Sequence, residues 1–222
     1  MSVKENINNI TIPKYSPVQE MANMLSHALG VPLAITIIII GLYQFSNGLI
    51  GKKVLLGVIV FGISALLVYL FSSIYHAMKK DSFAKKVLRV IDHCLIYLLI
   101  AGTYTPVCFM VMNKSNLGLV MLIIEWVGAV IGIVLNAFFF TSKIARIISF
   151  ILYIVMGWLC AFVGGWLYIP ALNFFFILLG GVIYTIGSIL YALGHSNRWF
   201  HFVFHIFVLI GTIIQTIGVF YH

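Results

Sequence analysis

Long apolar runs separated by short polar segments dominate this sequence. Seven of the runs are about 20 residues long, which is the length that an α-helix needs to cross the hydrocarbon core of a bilayer. Turn residues or charges interrupt the pattern between consecutive runs. The pattern predicts an all-α, polytopic seven-transmembrane-helix bundle that forms a single membrane domain over residues 1–222. The predicted spans are roughly 28–47, 54–75, 90–112, 117–140, 145–164, 171–193 and 200–220.

The composition agrees with an integral membrane protein. Of the 222 residues, 63% are apolar and only 8% are charged. Soluble domains carry roughly 25% charged residues, so this chain has too few charges to cover a globular surface in water. A soluble enzyme, a disordered chain and a nucleic-acid-binding module are therefore excluded. The three cysteines are odd in number and lie inside apolar runs, so no disulfide framework is expected.

The basic residues are distributed unevenly between the two sides of the predicted bundle. With seven spans, ten of the 13 Lys and Arg fall on the side of the N-terminus, and only Lys52, Lys53 and Lys114 fall on the other side. Cytoplasmic loops carry the excess of Lys and Arg. This bias predicts that the N-terminal segment 1–27 is cytoplasmic and that the C-terminus lies outside.

Six ionisable residues lie at the predicted cytoplasmic ends of the helices, although they come from distant parts of the sequence. Ionisable groups at membrane depth are energetically costly, and they therefore suggest function. The predicted topology collects these residues in one layer of the bilayer, where the bundle could gather them in one pocket. They are His27, His76, Asp92, His93, His201 and His205.

The spacing of two of these histidines suggests a metal site. His201 and His205 are four residues apart, so both imidazoles project from one face of a helix, about 6 Å apart along its axis. Such a pair can chelate one metal ion, and neutral imidazole nitrogens favour zinc among the common metals. His76 would supply the third protein ligand, and Asp92 could hold a water molecule beside the ion as general base or acid. His27 taken alone is more typical of an amphipathic anchor at the membrane interface.

Five short motifs occur in order at matching ends of the predicted helices. They are EMANMLSH at 20–27, SSIYH at 72–76, IDH at 91–93, AGTYTP at 101–106 and HFVFH at 201–205. In these motifs the chain resembles the bacterial hemolysin III proteins, which are members of the progestin and adipoQ receptor family. The matching pieces span nearly the whole chain.

The resemblance implies a seven-helix protein of the bacterial plasma membrane with an intramembrane zinc site near the cytoplasmic face. In that family Zn²⁺ is bound by the histidine of an SxxxH motif and by both histidines of an HxxxH motif, which are His76, His201 and His205 here. The family aspartate that contacts zinc through water corresponds to Asp92, and the motif serine corresponds to Ser72. Further side chains that are candidates to surround the ligands are His27, His93, Glu20 and Asn23.

Three functions stay open at the level of sequence. The first is a zinc-dependent hydrolase of a lipid amide or ester, because the wider superfamily includes alkaline ceramidases; Asp92 would then shuttle the proton, and Ser72 could donate to the oxyanion. The second is a pore-forming cytolysin, as the family name suggests, although the spans are too uniformly apolar for a wide aqueous channel. The third is a non-catalytic sensor or regulator of membrane lipid with a structural zinc. A water in the fourth coordination position would favour catalysis, whereas His93 or His27 as a fourth protein ligand would favour structure.

Overall fold

The fold consists of helices throughout the part of the chain that the structure describes. The computed structural model describes residues 7–80, 82–194 and 197–221, and no β-strand occurs among them. The predicted all-α class is therefore confirmed. From Pro17 onward these residues form nine α-helices and one 3-10 helix, Gly165–Tyr168. The α-helices are α1 (Pro17–Ala28), α2 (Gly30–Ser46), α3 (Lys52–Ala77), α4 (Phe83–Met112), α5 (Leu117–Phe139), α6 (Lys143–Gly157), α7 (Leu159–Phe162), α8 (Ala171–Leu193) and α9 (Trp199–Phe220).

Serine side chains cap three of the helix starts. At α1, Ser16 Oγ accepts from the backbone N–H of Gln19, and the Gln19 side chain accepts from the backbone N–H of Ser16. Ser82 and Ser142 cap α4 and α6 by accepting a backbone N–H in the same way. The helical segment that α1 and α2 form together runs over Pro17–Ser46, so helix begins well before the predicted start of the first span at residue 28.

Six helical segments of the described residues are long and apolar enough to cross a membrane. The sequence predicted seven spans, and the difference lies at 145–164. There α6 ends at Gly157 after 15 residues, and the short α7 follows. At 1.5 Å per residue, α6 alone is about 22 Å long, which is less than the roughly 30 Å of the hydrocarbon core. Gly164, with φ of 76°, then bends the chain into the 3-10 helix. The count of seven spans stays a prediction.

Apolar side chains cover the outside of the bundle, and hydrogen-bonded polar side chains lie between its helices. On α5, for example, Ile123, Val127 and Ile131 are each at least half exposed, as suits a surface that contacts lipid. Between α3, α8 and α9, the hydroxyls of Tyr69 and Tyr184 each lie 2.6 Å from Thr212 Oγ1. These three hydroxyl groups are thus paired inside the bundle, where lipid offers them no partner.

A second polar network fixes the third turn of α4, which begins at Phe83 and not at the predicted residue 90, against α5 and α6. Asn136 Nδ2 donates to the backbone carbonyl of His93 at 3.2 Å, and the Tyr153 hydroxyl donates to the same carbonyl at 3.0 Å. Ser149 Oγ donates to Asn136 Oδ1 at 3.0 Å. These bonds hold in position the helical turn that carries Asp92 and His93.

Candidate metal centre

Three histidines from two helices meet at one end of the bundle. His76 lies in the last turn of α3, whereas His201 and His205 lie in the first turns of α9. One ligand atom from each lies within 4.8 Å of those of the other two, and His76 Nε2 is 3.1 Å from His201 Nε2. All three side chains are buried. The structure therefore brings together the three predicted ligands in a group that could hold a metal ion.

Hydrogen bonds at Nδ1 orient two of these imidazoles. His76 Nδ1 lies 2.7 Å from Glu20 Oε2, and His205 Nδ1 lies 3.1 Å from the backbone carbonyl oxygen of Asn23. Because carboxylate and carbonyl oxygens accept hydrogen bonds, both Nδ1 atoms donate, and each Nε2 keeps the lone pair that a metal needs. Metal-binding histidines in proteins usually donate their second ring N–H to a carboxylate or carbonyl in this manner. The residues present therefore fit a metal ion.

A buried ion pair holds Glu20 against His76. Lys85 Nζ donates to Glu20 Oε1 at 2.6 Å and to the backbone carbonyl of Met78 at 3.2 Å, and the Lys85 side chain is completely buried. Glu20 thus divides its two oxygens between a histidine from α3 and a cation from α4. The sequence indicated Glu20 as a neighbour of the ligands. It did not indicate Lys85, which appears there as one of several basic residues in a cytoplasmic cluster.

Asp92 and Ser72 lie beside each other next to this cluster. The carboxylate of Asp92 is buried, with Ser72 and His76 among its neighbours. The nearest histidine nitrogen within ion-pair range is Nδ1 of His93, at 3.8 Å. Ser72 Oγ is buried without a hydrogen-bond partner among the described residues. The catalytic roles predicted for Asp92 and Ser72 stay predictions.

The remaining two predicted histidines do not join the ligand group in the described part of the chain. The ring of His27 stacks on that of His205, with 3.6 Å between centroids. His93 donates from Nδ1 to the backbone carbonyl of Arg89 at 2.9 Å, and its Nε2 lies 3.3 Å from the Tyr191 hydroxyl. The choice between a catalytic and a structural metal ion, which a fourth ligand would decide, stays a prediction.

Two tyrosines that the sequence did not single out pack on the histidines. The ring of Tyr15 stacks on His201 with 5.3 Å between centroids, and the ring of Tyr75 meets His76 edge-on at 4.6 Å. Tyr15 precedes α1 and is only 6% exposed, so the segment before the first helix covers the cluster. A tyrosine in a polar terminal segment carries no sequence signal for such a position.

A large cavity opens beside the cluster. Its volume is about 890 Å³, towards the upper end of the 300–1,000 Å³ that is usual for small-molecule sites. Asp92, His201 and His205 line one part of it, and side chains such as Ile100 and Val208 line its apolar part. Two of the candidate ligands, His201 and His205, are therefore reachable from a space large enough for an organic molecule.

Comparison with known proteins gives consistent matches over most of the chain. The family model described as "Haemolysin-III related" matches residues 15–216. The chain is 36% identical over 196 residues to the "Hemolysin-3 homolog" of Bacillus subtilis (strain 168), which covers 87% of this chain and 89% of that protein. It is also 35% identical over 196 residues to the "Hemolysin-3" of Bacillus cereus, with 87% of each chain covered.

Proposed function

The chain belongs to the haemolysin-III-related family of bacterial multi-pass membrane proteins, and from this premise we propose that it is a zinc-dependent hydrolase of an amide or ester bond in a membrane lipid. One observation carries the proposal: the three buried histidines lie beside the buried side chains of Ser72 and Asp92, and His201, His205 and Asp92 line a large cavity. That combination of ligands, proton carrier and space is what a hydrolytic metal site requires.

His76, His201 and His205 would hold the ion, and Glu20 and Asn23 would keep two of the rings in the tautomer that exposes Nε2. Zinc bound there would supply Lewis-acid polarisation of a carbonyl and would lower the pKa of water towards about 7. A neutral imidazole set suits Zn²⁺ among the common cations.

The protein's own side chains would move the proton. A carboxylate oxygen of Asp92 would accept a proton from the attacking water and pass it to the leaving group, as a general base and then a general acid. The hydroxyl of Ser72 is free to donate a hydrogen bond to the oxygen on which negative charge develops. Both groups are held in place, Ser72 by the last turns of α3 and Asp92 by the network that fixes the third turn of α4.

The activity test uses purified, zinc-loaded protein and a panel of ceramide-like and glycerolipid substrates, with the released products measured. Asp92→Asn keeps the shape of the side chain and cannot accept the proton, so we expect turnover to fall by about 10²–10⁴-fold. Zinc content is measured in both proteins and should be nearly unchanged. Equal turnover by the variant would remove Asp92 from the mechanism.

The two alternative functions give different results in the same experiment. A structural zinc predicts full zinc content, no turnover of any substrate, and no effect of Asp92→Asn. A cytolysin, the activity that the name Hemolysin-3 of the Bacillus cereus relative suggests, predicts release of a trapped dye from vesicles without lipid cleavage. Either result would contradict the hydrolase.

We also propose seven membrane crossings with a cytoplasmic N-terminus. Both α5 and α8 end near the site: the ring of Phe140 lies 5.0 Å from that of His93, and Tyr191 lies next to the same residue. The start of α8 is at the other end, where Asn173 donates to a carbonyl at the C-terminal end of α9. The chain between α5 and α8 must therefore pass from one end of the bundle to the other, which supports a broken crossing over 143–170.

Cysteine labelling in intact cells tests this topology. A membrane-impermeant maleimide should label Lys53→Cys and leave Lys86→Cys unlabelled until the cells are permeabilised, and a reporter fused after the C-terminus should be active outside. The opposite labelling pattern would reverse the orientation. A C-terminal reporter that is active only inside, together with labelled Lys53→Cys, would reduce the crossings to six.

A further inference from the structure

The cavity beside the histidine cluster has two chemically different parts. Its apolar part lies between α4, α6, α8 and α9 and includes Ile100, Tyr104, Trp158 and Val208. The rest of the lining is rich in polar residues and includes side chains from the segment before α1 and from the loop before α9. A space with one apolar part and one polar part suits an amphipathic molecule rather than a uniformly polar or apolar one.

Four cations line this cavity, and they come from three separate segments of the chain. Arg89 is on α4, Lys143 and Arg146 are on α6, and Arg198 immediately precedes α9. Asp92 is the single acidic residue among the lining residues that the structure describes. The positive-inside bias accounts for basic residues in cytoplasmic loops, but it does not require that they converge on one cavity.

These cations are available to a ligand. In the described part of the chain, none of the four lies within ion-pair distance of a carboxylate; the ion pairs there join Glu20 to His76 and Lys85, and Asp92 to His93. Arg89 instead contacts the backbone carbonyl of Thr11 and the ring of Phe140. Burial raises the pKa of the Tyr15 hydroxyl, and the charges of Arg89 and Arg198 act against that rise. Because Tyr15 lines the polar part of the cavity, both guanidinium groups lie close to that part.

We propose that the cavity takes a phospholipid with a net negative headgroup, whose phosphate lies among the four cations and whose acyl chain fills the apolar part. Arginine matches phosphate oxygens with a bidentate fork, and three of the four cations are arginines. The side chains of Lys143, Arg146 and Arg198 are exposed and can turn towards one anion. The proposal rests on the proposed function in one respect: it names the class of lipid that would lie against His201, His205 and Asp92.

Lipid retention tests the proposal without requiring turnover. Full-length protein in a neutral detergent is incubated with phosphatidylglycerol or phosphatidylcholine of identical acyl chains, and bound lipid is counted by native mass spectrometry, with and without zinc. We expect phosphatidylglycerol to be retained at least about tenfold better. Since a cation near an anionic lipid contributes about fivefold in affinity, Arg146→Gln/Arg198→Gln should remove most of that preference.

Matched variants separate a specific effect from a general loss of charge or fold. Lys52→Gln/Lys53→Gln removes two cations at the opposite end of α3 and should leave the preference unchanged. Arg146→Lys keeps the charge and should keep most of the preference. Equal retention of the two lipids by the wild type, or an equal effect of the two double variants, would overturn the proposal.

Two further arms identify the source of the phosphate and separate this proposal from the hydrolase. Inorganic phosphate that displaces phosphatidylglycerol at an equal concentration would show that the acyl chain contributes nothing, and it would overturn the lipid assignment. Retained preference for phosphatidylglycerol in a protein without turnover would refute the hydrolase and support the lipid site. Turnover without any preference would refute the lipid site alone.

Discussion

Replacing Glu20 by glutamine should weaken zinc binding although Glu20 is not a ligand. Its two oxygens accept short bonds from His76 Nδ1 at 2.7 Å and from Lys85 Nζ at 2.6 Å. The NH2 group of the glutamine amide must face one of these donors. If it faces Lys85, two donors are brought together. If it faces His76, it favours the tautomer in which Nε2 carries the hydrogen and cannot bind a metal.

The expected size of the effect follows from the behaviour of such partners. Loss of the hydrogen-bond partner of a metal-binding histidine typically lowers affinity by 10–100-fold, which is about 1.4–2.7 kcal/mol. The measurement is a competitive titration of purified Glu20→Gln against a chromophoric zinc chelator. An affinity within about twofold of the wild type would refute the view that Glu20 orients His76.

A second substitution tests why the glutamine fails. Removing the ammonium in Glu20→Gln/Lys85→Met lets the amide oxygen face His76, so we expect the double variant to regain part of the lost zinc affinity.

Lys85→Met alone leaves the buried carboxylate without its cation and should destabilise the fold by about 3–5 kcal/mol. Lys86→Met, which removes the neighbouring and partly exposed lysine, is the control and should change neither quantity. Equal affinities for the single and double glutamine variants would contradict the proposed competition between donors.

Two further predictions concern stability. Zinc at 100 times its dissociation constant should stabilise the wild type against unfolding by about 2.7 kcal/mol. Thermal unfolding of His201→Ala/His205→Ala should show no zinc-dependent shift. Stoichiometric zinc in that variant would contradict the ligand assignment. A Cβ atom at Gly57 would lie 2.6 Å from Pro106 Cα, so Gly57→Ala should lower the free energy of unfolding by about 1–3 kcal/mol. Gly157→Ala is the control, because a Cβ atom there meets open space, and it should unfold close to the wild-type temperature.

The depth of a residue in the membrane could be predicted from the sequence, and its direction around a helix could not. The alternation of spans placed His27, His76, His93 and His201 in one layer. Helix rotation and packing then decide which rings converge: His93 follows Asp92 by one residue, and it points towards Tyr191 rather than into the ligand group. An apolar run carries little information on rotation when both of its faces are hydrophobic.

Long-range pairing and helix breaks were also beyond the sequence pattern. Lys85 is 65 residues from Glu20, and no local spacing relates a buried lysine to a partner on another helix. The run at 145–164 is continuously apolar, so it predicted one helix, whereas the described chain leaves the helix after Gly157. The break depends on backbone geometry near Gly157 and Gly164, which hydropathy does not record.

The histidine cluster joins two distant parts of the chain, α3 and α9, and this has a consequence for biosynthesis. His76 and His201 are 125 residues apart, so at 5–20 residues per second a ribosome needs roughly 6–25 s to deliver the second ligand after the first. During that interval the inserted helices hold a single histidine of the group of three, which is too few to retain zinc. Metal loading would therefore report that translation has passed α9. Nascent chains that terminate early would stay without zinc, and membrane proteases could distinguish them from finished protein by their lower stability.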